Sequence, residues 1–146
     1  DLGLEAVFVP TSWPTLMPDL AADRFDVALS GISITSGRAA AASFSLPYHT
    51  GGKTILARCA DRARFDTPQE PDEARVRVMV TDDVEAELQA RRHPQLCRTL
   101  PGTLTRVEKA VLMPRDVALK AAVDAWLQRQ LQAGVPATLL REALAH

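Results

Sequence analysis

Long apolar runs, basic clusters and cysteines at metal-binding spacing are all missing from this chain of 146 residues. No apolar stretch approaches the roughly 20 residues that a membrane-spanning helix needs. Basic residues number 17 against 18 acidic ones, a formal net charge of −1. The concentrated positive footprint that nucleic acid or an anionic membrane surface demands is therefore absent. Cys59 and Cys97 are too few for a disulfide scaffold and too scattered for a zinc knuckle. They read either as two buried thiols or as one pair. The three histidines, His49, His93 and His146, stand at no metal-ligand spacing. Neither a glycine-rich phosphate loop nor a nucleophile elbow occurs, and the histidine spacing predicts no metal site. The opening Asp1-Leu2-Gly3-Leu4 carries neither Met nor a basic leader, and reads as processed, trimmed or partial.

What is present is globular. Hydrophobic residues make up 47% and charged residues 24%, ordinary values for a water-facing domain with a core. A chain of this length can bury roughly two-thirds of the surface its unfolded form exposes.

Apolar and β-branched residues over Leu4–Pro10 predict a buried strand ended by a proline. Ser12 is a candidate N-cap for a helix beginning near Pro14, continued by Leu16 and Leu20. Phe25–Leu29, followed at once by Ser30-Gly31, has the form of a buried parallel strand opening into a loop. Residues 38–43 favour a helical turn, because alanine loses least on entering a helix. Phe44–Tyr48 is extended ahead of Pro47, and Lys53–Arg58 is a strand after Gly51-Gly52. Residues 60–74, charged and broken by Pro68 and Pro71, predict a surface connection.

Arg75–Val80 alternates as a strand, and Thr81 or Asp82 suits the cap of a helix over Val84–Arg91. Glu108–Met113 predicts a strand stopped by Pro114. Val117–Ala133 is a helix with Val117, Ala121, Ala125 and Leu127 turned inward and Gly134 at its end, and Ala137–Ala145 a last helix. Strands alternating with helices argue for an α/β fold with a mainly parallel sheet.

Ser30-Gly31-Ile32-Ser33-Ile34-Thr35, with Arg38 three residues on, concentrates hydroxyls and backbone N–H groups at a strand–helix junction. Such a junction can hold an anion, and the planar fork of Arg38 can grip a carboxylate through two bonds. From these residues alone, an ordinary strand–turn–helix junction with a surface arginine is the stronger reading.

This run, followed by Phe44-Ser45-Leu46-Pro47-Tyr48, resembles the signature of amino-acid-type periplasmic solute-binding proteins of the type II fold. Further segments resemble the cyclohexadienyl dehydratase branch: Val9–Met17, Asp23–Asp26, Gly52–Thr54, Thr81–Glu85, His93–Cys97, Glu108–Ala110, Leu112–Arg115 and Asp124–Leu127. The resemblance implies a periplasmic lyase of phenylalanine biosynthesis, a prephenate dehydratase. It would turn prephenate (and arogenate) into phenylpyruvate (phenylalanine) by loss of water and carbon dioxide, a reaction that needs only positioned side chains and so implies no cofactor. It implies that Ser30, Ser33, Thr35 and Arg38 hold the substrate carboxylate, that Trp13 covers its ring, and that Glu85 is the general acid. Asp82, in ligand-binding relatives the receiver of an amino group, would raise the proton affinity of Glu85 as a nearby like charge. It also implies that Cys59 and Cys97 pair. The partner is then a small carboxylate (prephenate, arogenate or an amino acid), with no nucleic acid and no membrane span.

Against that pattern, the first strand and helix of the first lobe would lie before Asp1. Between Arg75-Val76-Arg77 and Val78-Met79-Val80 the opening part of the second lobe is skipped. Three segments are therefore expected: a first-lobe segment over 1–59, a linker and second-lobe remnant over 60–107, and a returning strand with C-terminal helices over 108–146. A non-catalytic solute-binding protein for an amino acid or small carboxylate is the alternative function. A third reading is a fragment that keeps the fold alone and covers its exposed apolar surface by forming a homo-oligomer.

Overall fold

A computed structural model describes residues 5–65 and 78–145. The chain divides into two compact units. The first holds residues 1–47 and 110–129, and the second 48–109 and 130–146. The chain thus changes unit at Pro47–Tyr48, at Lys109–Ala110 and again at Arg129–Gln130.

In the first unit, helix α1 (Leu16–Ala21) starts later than the sequence predicts. The Ser12 hydroxyl does not cap it. Ser12 closes a turn instead, its carbonyl accepting from Thr15 N–H at 3.1 Å. Asp19 is buried in α1, and its carboxylate accepts from the Thr11 hydroxyl at 2.7 Å and from Arg24 at 2.8 Å. Donation from Thr11 holds the Asp19 carboxyl below its ordinary range against the effect of burial, with Arg24 assisting. This ties residue 11 down on the helix. Short helix α2 (Ser36–Ala39) is capped by Thr35, whose hydroxyl oxygen accepts from Arg38 N–H at 3.3 Å.

Strand β1 (Ser43–Phe44) pairs antiparallel with β7 (Leu112–Met113), and Ala28 forms a single antiparallel bridge to Leu112. The buried core joins Leu16 and Leu20 to Ile32, Ala42 and Leu112. Helix α4 (Val117–Gln132) is tied to residues 39–46 by Arg115, which donates to Ala40 O at 2.6 Å, and by Asp124, which accepts from Leu46 N–H at 2.7 Å.

Two strand expectations fail here. Among the described residues of Leu4–Pro10 there is no strand, and Val7 and Phe8 are 81% and 95% exposed. Phe25–Leu29 makes one bridge rather than a parallel strand, and leaves Leu29 exposed. Apolar runs become buried strands only beside other strands; among the described residues Leu4–Pro10 has no strand beside it, and Phe25–Leu29 meets β7 at Ala28 alone. The inward face of α4 is also rotated from the expected one. Leu127 is buried, but Val117, Ala121 and Ala125 are exposed, and the half-buried row runs through Leu119, Val123 and Leu127 at i, i+4 and i+8.

In the second unit, β2 (His49–Gly51) pairs antiparallel with β6 (Val107–Lys109). Strand β3 (Lys53–Arg58) lies between β4 (Met79–Asp82) and β5 (Leu96–Arg98), antiparallel to both. All strand pairings among the described residues are antiparallel, so the expected mainly parallel sheet is not what these strands form. Of the predicted Arg75–Val80 strand, residues 75–77 lie outside the described residues. The predicted Glu108–Met113 strand is two, β6 and β7. Helix α3 (Asp83–Arg92) follows β4 directly, and α5 (Val135–Ala145) follows Gly134, whose φ of 69° ends the preceding helix. Ile55, Ala57, Phe65 and Leu100 form the core of this unit. A 3-10 turn over Cys59–Arg64 follows β3, and Cys59 is disulfide-bonded to Cys97 with a Cα–Cα distance of 4.9 Å.

Candidate substrate site

Residues 9, 11–13, 16, 28–30 and 32 of the first unit line a cavity of about 330 Å³, at the small end of ligand-sized pockets. Leu16, Ala28 and Ile32 supply apolar wall, while Thr11, Ser12 and Ser30 supply hydroxyl groups. Trp13 is 61% exposed at its edge. The Arg38 guanidinium lies 5.6 Å from the Trp13 ring centroid, within cation–π range. One of its five N–H donors goes to the Ser33 carbonyl at 3.1 Å. Four of the predicted anchors therefore occupy one stretch, with Trp13 stacked against the guanidinium.

Ile32 explains how this stretch is held. Its side chain is buried and its carbonyl accepts from Ala110 N–H at 3.1 Å, so its neighbours face away from the core. Ser30 has φ 152° and Gly31 φ 68°. The first value is sparsely populated by residues with a Cβ and costs on the order of 1–3 kcal/mol. Strain of this kind persists where the surroundings over-determine it, and here it sits on the cavity lining. The oxygen of Thr35 accepts from Arg38 N–H at the cap of α2, and its O–H is left to donate to a ligand carboxylate.

Asp82 and Glu85 belong to the second unit. Asp82 ends β4, and its carboxylate takes Lys53 Nζ and Lys109 Nζ at 3.0 Å each. Burial pushes the Asp82 carboxyl up, but hydrogen bonds from Lys109 and then Lys53 outweigh it and hold the group below the ordinary carboxylate range. It makes no side-chain cap to α3. Two lysines thus compensate the Asp82 charge. Glu85, in the first turn of α3, is exposed and accepts a hydrogen bond from the Thr81 hydroxyl.

Lys109 is the residue that the sequence reading missed, at 4% exposed. Its signal was the alternation of Val107, Glu108 and Lys109, which turns the lysine inward on a strand. Among the described residues no group of three or more His, Cys, Asp and Glu side chains could hold a metal ion, and no helix is long and apolar enough to cross a membrane.

The family model of bacterial extracellular solute-binding proteins, family 3, matches residues 1–144. The chain belongs to this family. Among its relatives is the cyclohexadienyl dehydratase of Pseudomonas aeruginosa, 39% identical over 187 aligned positions that take in 99% of this chain and 68% of the relative. Those 187 positions against 146 residues leave part of the relative without a counterpart here. A crystal structure of an ancestral cyclohexadienyl dehydratase is similar at 32% identity and a TM-score of 0.68, covering 99% of this chain and 78% of that one. An amino acid ABC transporter substrate-binding protein from Streptococcus pneumoniae, solved with L-arginine, shares the fold at a TM-score of 0.82 and 19% identity, over 99% and 78% of the two chains. The solute-binding fold expected from residues 30–48 is thus the fold of this family, in an α/β chain whose described strands pair antiparallel.

Proposed function

We propose that this member of the solute-binding family is a cyclohexadienyl dehydratase, a carbon–oxygen lyase acting on prephenate (and arogenate) in the periplasm. The observation that carries the reading is the 39% identity to a dehydratase along 99% of the chain. The residues supply a consistent chemistry. Arg38, with the hydroxyls of Ser30, Ser33 and Thr35, anchors a carboxylate through charge-assisted bonds, and Trp13 covers the ring. Asp82 adds a polar contact for the ligand beside its two lysines. Glu85 gives its proton to the leaving hydroxyl, because hydroxide itself is a poor leaving group. The C–O bond breaks and water departs. The bond to the ring carboxylate also breaks, carbon dioxide leaves, and its electron pair completes the aromatic ring.

Incubation of the protein with prephenate, followed by the absorbance of phenylpyruvate, tests the reading. Glu85→Gln keeps the shape and removes the proton, so turnover should fall about 10²- to 10⁴-fold while prephenate still binds. Undiminished turnover in that variant would remove Glu85 from the role. The second reading, a non-catalytic protein for an amino acid or small carboxylate, draws on the stacked Trp13–Arg38 pair, which suits any small carboxylate. Tight carboxylate binding with no turnover of prephenate would favour it.

A further inference from the structure

Glu85 is the third residue of α3, counted from the N-cap Asp82. A glutamate at that position ordinarily reaches back to the N-cap backbone N–H and closes a capping box. Here the first turn is arranged differently. The Asp82 side chain serves Lys53 and Lys109 instead of the helix, and Val84 N–H goes to Asp83 Oδ1 at 3.0 Å. The Oε2 atom of Glu85 accepts from Thr81 Oγ1, one residue before the cap and on the strand.

That donor is held firmly. Thr81 is buried, at 6% exposed, and lies opposite Thr54 in the β3–β4 ladder. Thr54 is fully buried, and its hydroxyl donates to Gly102 O at 3.3 Å. The next residue, Asp82, is clamped by two lysines, one of them buried. A β-branched side chain on a fixed strand has few rotamers open to it, so the hydroxyl stands still. The side chain it meets is exposed and has several rotatable bonds that would otherwise sample freely.

We propose that Thr81 is the positioning residue for Glu85, an inference that rests on Glu85 being the general acid. The Thr81 hydroxyl donates to Oε2, which leaves Oε1 to carry the proton and deliver it to the leaving hydroxyl. Thr81 keeps its own proton throughout. Its hydrogen bond strengthens as the carboxyl becomes a carboxylate, because bonds to charged acceptors are the stronger ones. The contribution therefore grows as the proton moves, and falls on kcat rather than on binding.

The test uses the full chain with prephenate. Thr81→Val keeps the branched shape and deletes the hydroxyl, and kcat should fall about 10- to 100-fold with KM nearly unchanged. Thr81→Ser should recover most of that loss. In a Glu85→Gln background, Thr81→Val should add little, since the two residues act as one unit. A merely structural threonine would lower the thermal midpoint and leave kcat alone, both in the wild-type and in the Glu85→Gln background. Wild-type kcat in Thr81→Val overturns the proposal. If that variant fails to fold, a Thr81→Ser variant that folds but has lost kcat tenfold or more overturns it equally, because the hydroxyl is still there. If Glu85→Gln itself turns over normally, the general-acid reading falls and Thr81 falls with it. A slow Glu85→Gln beside a normal Thr81→Val sinks the positioning role alone.

Discussion

Removing the Cys59–Cys97 bond should be among the largest single changes to stability that this chain can undergo without altering its core. The two cysteines lie 38 residues apart in sequence. Closing a loop of that length removes unfolded-chain entropy equivalent to about 4 kcal/mol at 25 °C. Little native cost should offset this, because the bond joins segments that already lie together. Cys97 stands opposite Ala57 in the β3–β5 ladder, two residues before Cys59, and both cysteines are only half-buried. For a chain of this size the loss corresponds to a fall of about 8–16 °C in thermal midpoint. The closed loop contains β4 and α3, and with them Thr81 and Glu85. Both tryptophans, Trp13 and Trp126, belong to the first unit, so circular dichroism is the better probe of the second. Its midpoint would be compared with and without reductant, and for the Cys59→Ala/Cys97→Ala double variant. Intact mass under oxidising conditions should show no free thiol. Midpoints that agree within a degree or two would refute the loop-entropy reasoning, and two free thiols would refute the bond itself.

Three further outcomes are expected. Arg38→Ala should weaken binding of a carboxylate ligand by about 1.5–3 kcal/mol, the range for a hydrogen bond to a charged group, and calorimetry showing unchanged affinity would take Arg38 out of the site. Gly52→Ala should destabilise the fold by more than about 2 kcal/mol, since the added Cβ would stand 1.8 Å from the Thr105 carbonyl oxygen, whereas Gly37→Ala meets nothing within 4 Å and should be tolerated; equal urea midpoints for the two variants would contradict the packing described. Asp19 and Asp82 both have carboxyls held below the ordinary aspartate range. Their contribution is therefore fully present above about pH 4 and is lost as pH falls through the folded values, so urea midpoints should hold from neutral to about pH 4 and then drop, and a flat profile down to about pH 2 would count against both sets of partners.

Elements whose pattern is local were legible in the sequence. Lys53–Arg58 was expected as β3 and has those bounds, and the helices near 84–91 and 117–133 appear within two residues at either end. What failed was information that resides in neighbours. Leu4–Pro10 and Phe25–Leu29 have the composition of strands, but composition does not supply a partner. The direction of pairing is equally invisible: β2 and β3 are separated only by Gly52, yet one pairs with β6 and the other with β4 and β5. The face of α4 was misread because Ala121 and Ala125 fit a core or a surface equally well, and only Leu127 fixes the phase. At the site, the 30–38 run was readable because hydroxyls, glycine and arginine fall close together. The lysine clamp on Asp82 was not, since Lys53, Asp82 and Lys109 meet only when β3 and β4 pair and Lys109 comes in from β6.

The interleaving of the two units bears on how the chain is made. The first unit lacks the β7 partner of β1, and the helix held by Arg115 and Asp124, until residues 110–129 have emerged. The second needs β6 for β2, and Arg91 of α3 donates to the carbonyl of Leu144 near the far end of α5. Neither unit can finish before its later segments have been made, so an intermediate that stops short of residue 107 carries unpaired strands and an open core. Late completion of this kind favours synthesis coupled to a holding chaperone. It also means that a stop codon within the last turns of α5 would deprive α3, and the carboxylate on its first turn, of the support that the Leu144 carbonyl supplies through Arg91.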